Sequence, residues 1–236
     1  MANGTWSVIG LIGAMAEEIE LIEAKLEGLE ATEKAGIRFL EGHLHGKRVV
    51  LCKSGVGKVN AAVCTQLLID RFGVEAIVFT GVAGALEPSL EIGDIVISTD
   101  CQQHDIDASP LGFPRGTIPF ADASVFPADA RLIEVAAEAS RVGFSGRAVQ
   151  GRVLSGDQFI ASRDTVRLLH EELQGACTEM EGAAVAQVAA MNGVPFVVIR
   201  SMSDKADGSA HVNFAEFTQL AAKHSSTIVE EMLKRL

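Results

Sequence analysis

The chain has 236 residues, 48% hydrophobic and 22% charged, enough to bury one substantial core and at the upper end for a single domain spanning 1–236. A formal net charge of -11, with no cluster of Lys and Arg, sets the surface against nucleic-acid backbones and anionic membranes. Cys52, Cys64, Cys101 and Cys177 are scattered without CxxC spacing or a His-rich neighbour, so they read as small reduced core residues rather than a zinc site or disulfide framework.

The opening MANGTWSVIGLIGAM carries a short apolar run with no basic lead and is followed at once by EEIE, which predicts a first strand rather than a signal peptide. No run of ~18 apolar residues occurs, so no membrane span is expected and the expected location is the cytoplasm. Ser7 to Ala14 reads as a buried strand. From Met15 the positions Ile19, Ile22 and Leu26 move to helical spacing, and Gly28 ends the helix. Glu17 and Glu18 lie in its first turn, where they complement the helix dipole by ~0.3 to 1 kcal/mol, and only one of them can project back toward the strand end.

Ile37 to His45 and Arg48 to Ser54 flank a His45-Gly46 turn, a hairpin pattern. SGVGKVNAAVCTQLLIDRFG then passes through two glycines into a helix stopped at Gly73. Its spacing is neither GxGxxG nor a P-loop, which favours a tight turn against substrate or sheet over a phosphate site and leaves Lys58 solvated. Glu75 to Gly81 is an apolar strand, and TGVAGAL after it has the small residues that let backbone approach a flat ligand. Asp94 to Thr99 continues the sheet. The stretch from His104 to about Pro119 is a long loop of the kind that is functional or an interface element. Its His104, Asp105 and Asp107 lack a fourth ligand, so polar packing is expected and no metal.

Ala128 to Arg141 is an amphipathic helix and Gly146 to Leu154 a strand closed by SGDQFI. With no Tyr and one Trp at position 6, stacking on a base must come from Phe or His, and Phe159 is either a core residue or that platform. The stretch TEMEGAAVAQVAAMNGVPFVVIRSMSD organises the rest. It reads as a strand ending at Glu179-Met180-Glu181, a small-residue helix, a Gly193 stop, and an apolar strand ending at Arg200, Ser203 and Asp204. At the carboxyl ends of strands in an open sheet, Glu181 and Asp204 would share one crevice, although a solvated N-cap remains open for Asp204. Phe214 to Leu236 is a covering helix. This alternation predicts a three-layer α/β/α fold with a central mixed sheet.

GLIGAMAEE, SGDQFI, EMEGAAVA and VIRSMSDKAD, in that order, resemble the 5′-methylthioadenosine/S-adenosylhomocysteine nucleosidases of the purine nucleoside phosphorylase superfamily, from about Val8 onward. The resemblance implies a nucleoside phosphorylase-like fold, an adenine nucleoside substrate, no cofactor, and a homodimer. It implies Glu18 as the group that activates water, Asp204 as general acid to the purine N7, and Glu181 as acceptor for the ribose hydroxyls. Met15 would lie near the sugar, Gly84 in the nucleoside loop, Phe159 over the adenine and Ile160 at the base edge. Glu179, Met180 and Ser203 complete the substrate site, with Arg200 fixing Glu181. Leu111, Phe113 and Pro119 would cover the neighbouring subunit's pocket. Many relatives carry a hydroxyl residue where this chain has Val82, which is therefore left out of the site.

Breaking a carbon–nitrogen glycosidic bond generates a cationic sugar and a basic leaving group, which is why the roles fall to carboxylates. Asp204 can donate only if burial and neighbouring anions keep its proton. The apolar Met15, Phe159 and Met180 suit an alkylthio nucleoside. A phosphorylase of the same superfamily would hold phosphate with arginines, yet Phe79 stands at one such position and no Arg occurs between Gly10 and Ile37. A non-catalytic nucleoside-binding protein would not need all three carboxylates. Methylthioadenosine, S-adenosylhomocysteine, 5′-deoxyadenosine and aminodeoxyfutalosine share adenine and ribose, and the sequence does not rank them.

Overall fold

In the computed structural model, residues 6–206 and 217–236 are described with their side chains, and 210–216 by backbone alone. The elements in chain order begin with β1 (Val8–Gly13), α1 (Ala16–Glu23), β2 (Glu27–Lys34), β3 (Ile37–Leu44), β4 (Lys47–Lys53), α2 (Lys58–Phe72) and β5 (Ala76–Ala85). They continue with β6 (Ile95–Gln103), a 3-10 turn at Ser109–Leu111, β7 (Val125–Pro127), α3 (Ala130–Gly143), β8 (Ala148–Ser155) and α4 (Arg163–Leu173). β9 (Gly175–Glu179), α5 (Gly182–Met191), β10 (Phe196–Asp204) and α6 (Ala210–Leu233) complete the chain.

The layering follows from the two-residue period of strands whose both faces are apolar. Ile12, Ile77, Phe79, Phe196 and Val198 point to one side and pack with Ala61, Cys64 and Leu68 of α2 and Ala183, Val185 and Ala186 of α5. Ile9, Leu11, Ala76, Val78, Val197 and Ile199 point to the other, against Ile19 and Ile22 of α1, Leu132 and Ala136 of α3, and Ile228 and Met232 of α6. The sheet between them is mixed: β1 pairs in parallel with β4 and β5, whereas β4, β3 and β2 run antiparallel. All four cysteines are buried and unpaired.

β5 is the strand on which the topology turns. On one edge it holds β10 along its length, from Phe196↔Ile77 to Asp204↔Gly84. On the other it holds β1 as far as Ile12↔Phe79, and then β9, antiparallel, at Gly84↔Thr178 and Ala85↔Cys177. Since β10 also pairs with β6, β6 with β8 and β8 with β9, these five strands close on themselves. The short stretch of β5 between the departure of β1 and the arrival of β9 is the fork at which the site forms.

Several boundaries differ from the sequence reading. The first helix stops at Glu23, and Glu27–Lys34 is a fully exposed edge strand instead of the helix end, because its backbone pairs with β3 while none of its side chains is buried. Gly28, at φ +65, sits in the bulge of that pairing rather than at a helix terminus. The TGVAGA stretch is strand, not loop. The final helix begins at Ala210, before the expected Phe214. Asp207 of the VIRSMSDKAD motif and the side chain of Phe214 lie outside the described residues. Among the described residues no helix is long and apolar enough to cross a membrane.

Candidate active site

At the fork of β5 a cavity of about 320 Å³ opens. Ala14, Met15 and Glu18 enter it from the β1–α1 turn, Val56 from the turn before α2, and Val82, Ala83 and Gly84 from β5. Gln158, Phe159 and Ile160 follow β8, Thr178 to Glu181 bridge β9 to α5, and Ser203 and Asp204 end β10. Most of this wall is apolar, so the carboxylates Glu18, Glu181 and Asp204 stand out. All three are buried, at 3%, 5% and 3% exposure.

Glu18 reaches back from the first turn of α1. Its Oε2 accepts from the amides of Ala14 (2.6 Å) and Met15 (2.9 Å), and its Oε1 accepts from Val82 N–H at 3.0 Å. Burial raises its pKa against the opposing pull of Arg200 and these three amides. Its place in the first turn of α1 and its projection back toward the end of β1 are therefore one geometry. Val82 contributes through its backbone, which the identity of its side chain does not affect.

Glu181 Oε1 accepts from Gly57 N–H at 2.7 Å, at the start of α2. Burial first, then the neighbouring Glu179, push its pKa up to about 8. Asp204 Oδ1 accepts from Ala206 N–H at 2.7 Å, and Ser203 Oγ lies 2.9 Å from its Oδ2. Gly84 must be small, since a methyl there would stand 2.9 Å from Asp204 Oδ1 and 2.8 Å from the Ala206 side chain.

Arg200 departs from expectation. It is 1% exposed and pairs with Glu179, not with Glu181, and it does not line the cavity. Glu179 ends β9, which lies across β5 from β10, while Glu181 has moved on to the N-terminus of α5 and accepts from Gly57. Glu179 also accepts from Ser155 Oγ and from Gly182 N–H at 2.8 and 2.9 Å. Its oxygens are thus occupied by protein. Arg200 lies over the Phe79 ring at 3.9 Å from its centroid, and among the described residues its Nε and Nη1 have no hydrogen-bond partner. A methyl at Gly81 would collide with both Arg200 Nη1 and Glu18 Oε1, so these groups converge above that glycine.

Phe159 is half exposed at the cavity wall, with Ile160 buried beside it, and Met15 and Met180 also face the space. Leu111, Phe113 and Pro119 are not among the cavity's lining residues; Leu111 is exposed on the loop after β6, and Phe113 packs edge-on against Phe120. Lys58 is not solvated: its ammonium pairs with Asp105 at 2.7 Å and with Gln103 Oε1 at 2.8 Å. Sequence reasoning did not single out Val56, Ala83, Gln158 and Thr178. Their one signal was adjacency to the glycine turn and the SGDQFI and EMEG motifs.

The sequence matches the Phosphorylase superfamily over residues 8–234. It is 42% identical over 229 residues, 97% of this chain and 99% of the relative, to a 5′-methylthioadenosine/S-adenosylhomocysteine nucleosidase of Psychromonas ingrahamii. The fold superposes at TM-score 0.94, with 39% identity and 98% and 100% of the two chains covered, on a nucleosidase of that name from Neisseria meningitidis in complex with methylthio-immucillin-A. It superposes at TM-score 0.92, with 34% identity and 98% of each chain covered, on futalosine hydrolase of Helicobacter pylori.

The Glu181 environment carries a stability signature. A carboxyl that titrates near 4.5 unfolded and about 8 folded leaves the native chain holding the extra proton between those values, so its contribution declines as pH rises through that window. Glu181→Gln keeps the acceptor for Gly57 and removes the titration. Its melting temperature should match or slightly exceed wild type near pH 5 and exceed it by ~3 °C or more at pH 8.5. Calorimetry giving a pH-independent difference would show that Glu181 does not titrate in this window.

Proposed function

The chain belongs to the phosphorylase superfamily and, within it, to the 5′-methylthioadenosine/S-adenosylhomocysteine nucleosidases, and on that premise we propose the reaction and the roles of its residues. It is an N-glycosyl hydrolase of adenosine derivatives that cleaves methylthioadenosine and S-adenosylhomocysteine to adenine and the 5-substituted ribose. Such an activity serves methionine salvage and the recycling of S-adenosylmethionine by-products in the cytoplasm. The observation that carries the reading is the convergence of buried Glu18, Glu181 and Asp204, with a fourth buried carboxylate, Glu179, held by Arg200 and Ser155, on one largely apolar cavity of nucleoside size.

Asp204 is the general acid toward the purine N7. Glu18 takes a proton from water, which attacks the anomeric carbon as the bond to adenine breaks. The unpartnered Nη1 of Arg200, converging with Glu18 above Gly81, offers a further donor to that water. Glu181 accepts from the ribose hydroxyls, whose donors, like the positive charge developing on the sugar, favour its ionised form. Phe159, Ile160 and Met180 enclose the base, Met15 lies toward the sugar, and Gly84 lets the backbone approach. Ser203 orients Asp204, and Glu179 with Arg200 supports the floor from behind. The pocket needs no cofactor for this chemistry. 5′-Deoxyadenosine and aminodeoxyfutalosine fit the same base and ribose contacts, so the 5′ substituent is the point at which substrates would be told apart.

The site is built for water rather than phosphate. Glu179, Glu18 and Glu181 act together on the single guanidinium of Arg200, whose face is already stacked on Phe79. A dianion entering there meets net repulsion. We further propose a homodimer in which the 104–120 loop, with Leu111, Phe113 and Pro119, covers the neighbour's pocket, supported by the exposure of Leu111 and of Phe120 on that loop.

Asp204→Asn and Glu18→Gln should each lower kcat by ~10² to 10⁴-fold while an unreactive nucleoside analogue still binds. Adenine release by Asp204→Asn at the wild-type rate would remove it from the acid role. Adenine release should be indifferent to phosphate from none to millimolar, with a free reducing sugar as product; a sugar 1-phosphate would identify a phosphorylase instead. In sedimentation the active species should be a dimer at assay concentration, and a fully active monomer would refute the shared pocket.

A further inference from the structure

Three loops meet at the open side of the cavity, and each carries something the site uses. The turn before α2 carries Gly57, whose amide holds Glu181. The segment after β8 carries Phe159 and Ile160. The segment after β6 begins the long 104–120 loop. The β6–β8 ladder joins the second and third as far as Gln103↔Ser155 and His104 N–H to Ser155 O, and beyond it Asp105, Asp157 and the Gly57 turn are joined through side chains.

Those bonds form a closed circuit around Lys58. Its backbone N–H donates to Asp157 Oδ1 at 2.8 Å, and its ammonium donates to Asp105 Oδ1 at 2.7 Å. Asp157 N–H donates in turn to Asp105 Oδ2 at 2.9 Å. Lys58 thus touches both other loops at once, from the residue directly after Gly57. The Lys58 and Asp105 side chains are only 18% and 14% exposed, so the pair is largely shielded from water. His104, buried beneath, would clash with any side chain at Gly156, which packs the same loops from below.

We infer that Lys58 and Asp105 are positioning residues: together with Asp157 they lock the Gly57 turn and the Phe159 segment to one another, so that the Glu181 contact and the base platform are held at the right separation. This rests on the adenine-nucleoside reading of the site and extends it to residues that touch no substrate. The circuit predicts a particular kinetic pattern. The base contacts made by Phe159 and Ile160 exist in both ground and transition states, so loosening them raises KM more than it lowers kcat.

The test uses the full-length protein with methylthioadenosine as substrate and adenine as a separate ligand. Lys58→Met should raise KM and the adenine dissociation constant by about 5 to 20-fold with kcat within about 3-fold, and Lys58→Arg should recover most of the loss. Asp105→Asn, which keeps the shape but loses an acceptor, should act in the same direction, and Lys58→Met/Asp105→Asn should be no worse than the poorer single variant. If Lys58→Met fails to fold, Asp105→Asn and Lys58→Arg carry the same comparison. Unchanged KM and adenine affinity in the folded variants, or effects that simply multiply in the double variant, would overturn the inference. A wild-type chain that binds adenine without cleaving the nucleoside would overturn the reaction alone, since the adenine affinities would still report on the circuit.

Discussion

The buried Arg200–Glu179 pair is the interaction on which the active end of this fold depends. Removing two charges from water is unfavourable unless hydrogen bonds complete their shells, and removing one partner would strand the other. Glu179 meets that condition by accepting from Ser155 at the end of β8, from Gly182 at the start of α5, and from Arg200 on β10. Satisfying one carboxylate therefore fixes three elements at once. Arg200 is fixed in turn by the face of Phe79 on β5. A single guanidinium cannot neutralise Glu18 and Glu181 as well, and burial pushes both of those upward. With one guanidinium among several buried carboxyls, Glu181 is pushed up to about 8 and Glu18 above its ordinary value.

The second constraint is topological. β5 exchanges β1 for β9 along one edge while keeping β10 on the other, and the gap between the two partners exposes strand backbone to something other than a strand. Glu18 fills part of it by binding Val82 N–H. Small residues at Gly81 and Gly84 leave the remaining room, because a methyl at either would strike Arg200, Glu18 or Asp204. The pocket is thus a consequence of how the ring of strands closes, and the carboxylates occupy it because each sits at the end of a strand that stops there or at the turn just beyond it.

The loops around the opening obey a different logic. Where the β6–β8 ladder ends at Gln103↔Ser155, the Lys58, Asp105 and Asp157 bonds carry the connection on to the Gly57 turn. Such segments open more readily than strands. That suits a wall which must admit a nucleoside and release adenine, while β5 and β10 stay rigid beneath.

Sequence alone determined the layered α/β class, because strands such as VPFVVIR are apolar on both faces and helices such as α5 are small-residue packed, and these are local properties. It also marked Glu18, Glu181 and Asp204, since each stands where a strand or its turn runs out, within motifs that resemble a known family. It misjudged what depends on partners distant in the chain. Glu27–Lys34 became a strand because β3 lies beside it, not because of its own pattern. Arg200 pairs with Glu179 rather than Glu181, two residues apart in sequence, because Glu179 ends β9 across β5 from β10 while Glu181 caps α5 and is held by the Gly57 amide. Lys58 looked solvated until Asp105, 47 positions away, came to meet it. Tertiary structure decided these cases because charge pairing and strand pairing act through space, over separations that local periodicity does not encode.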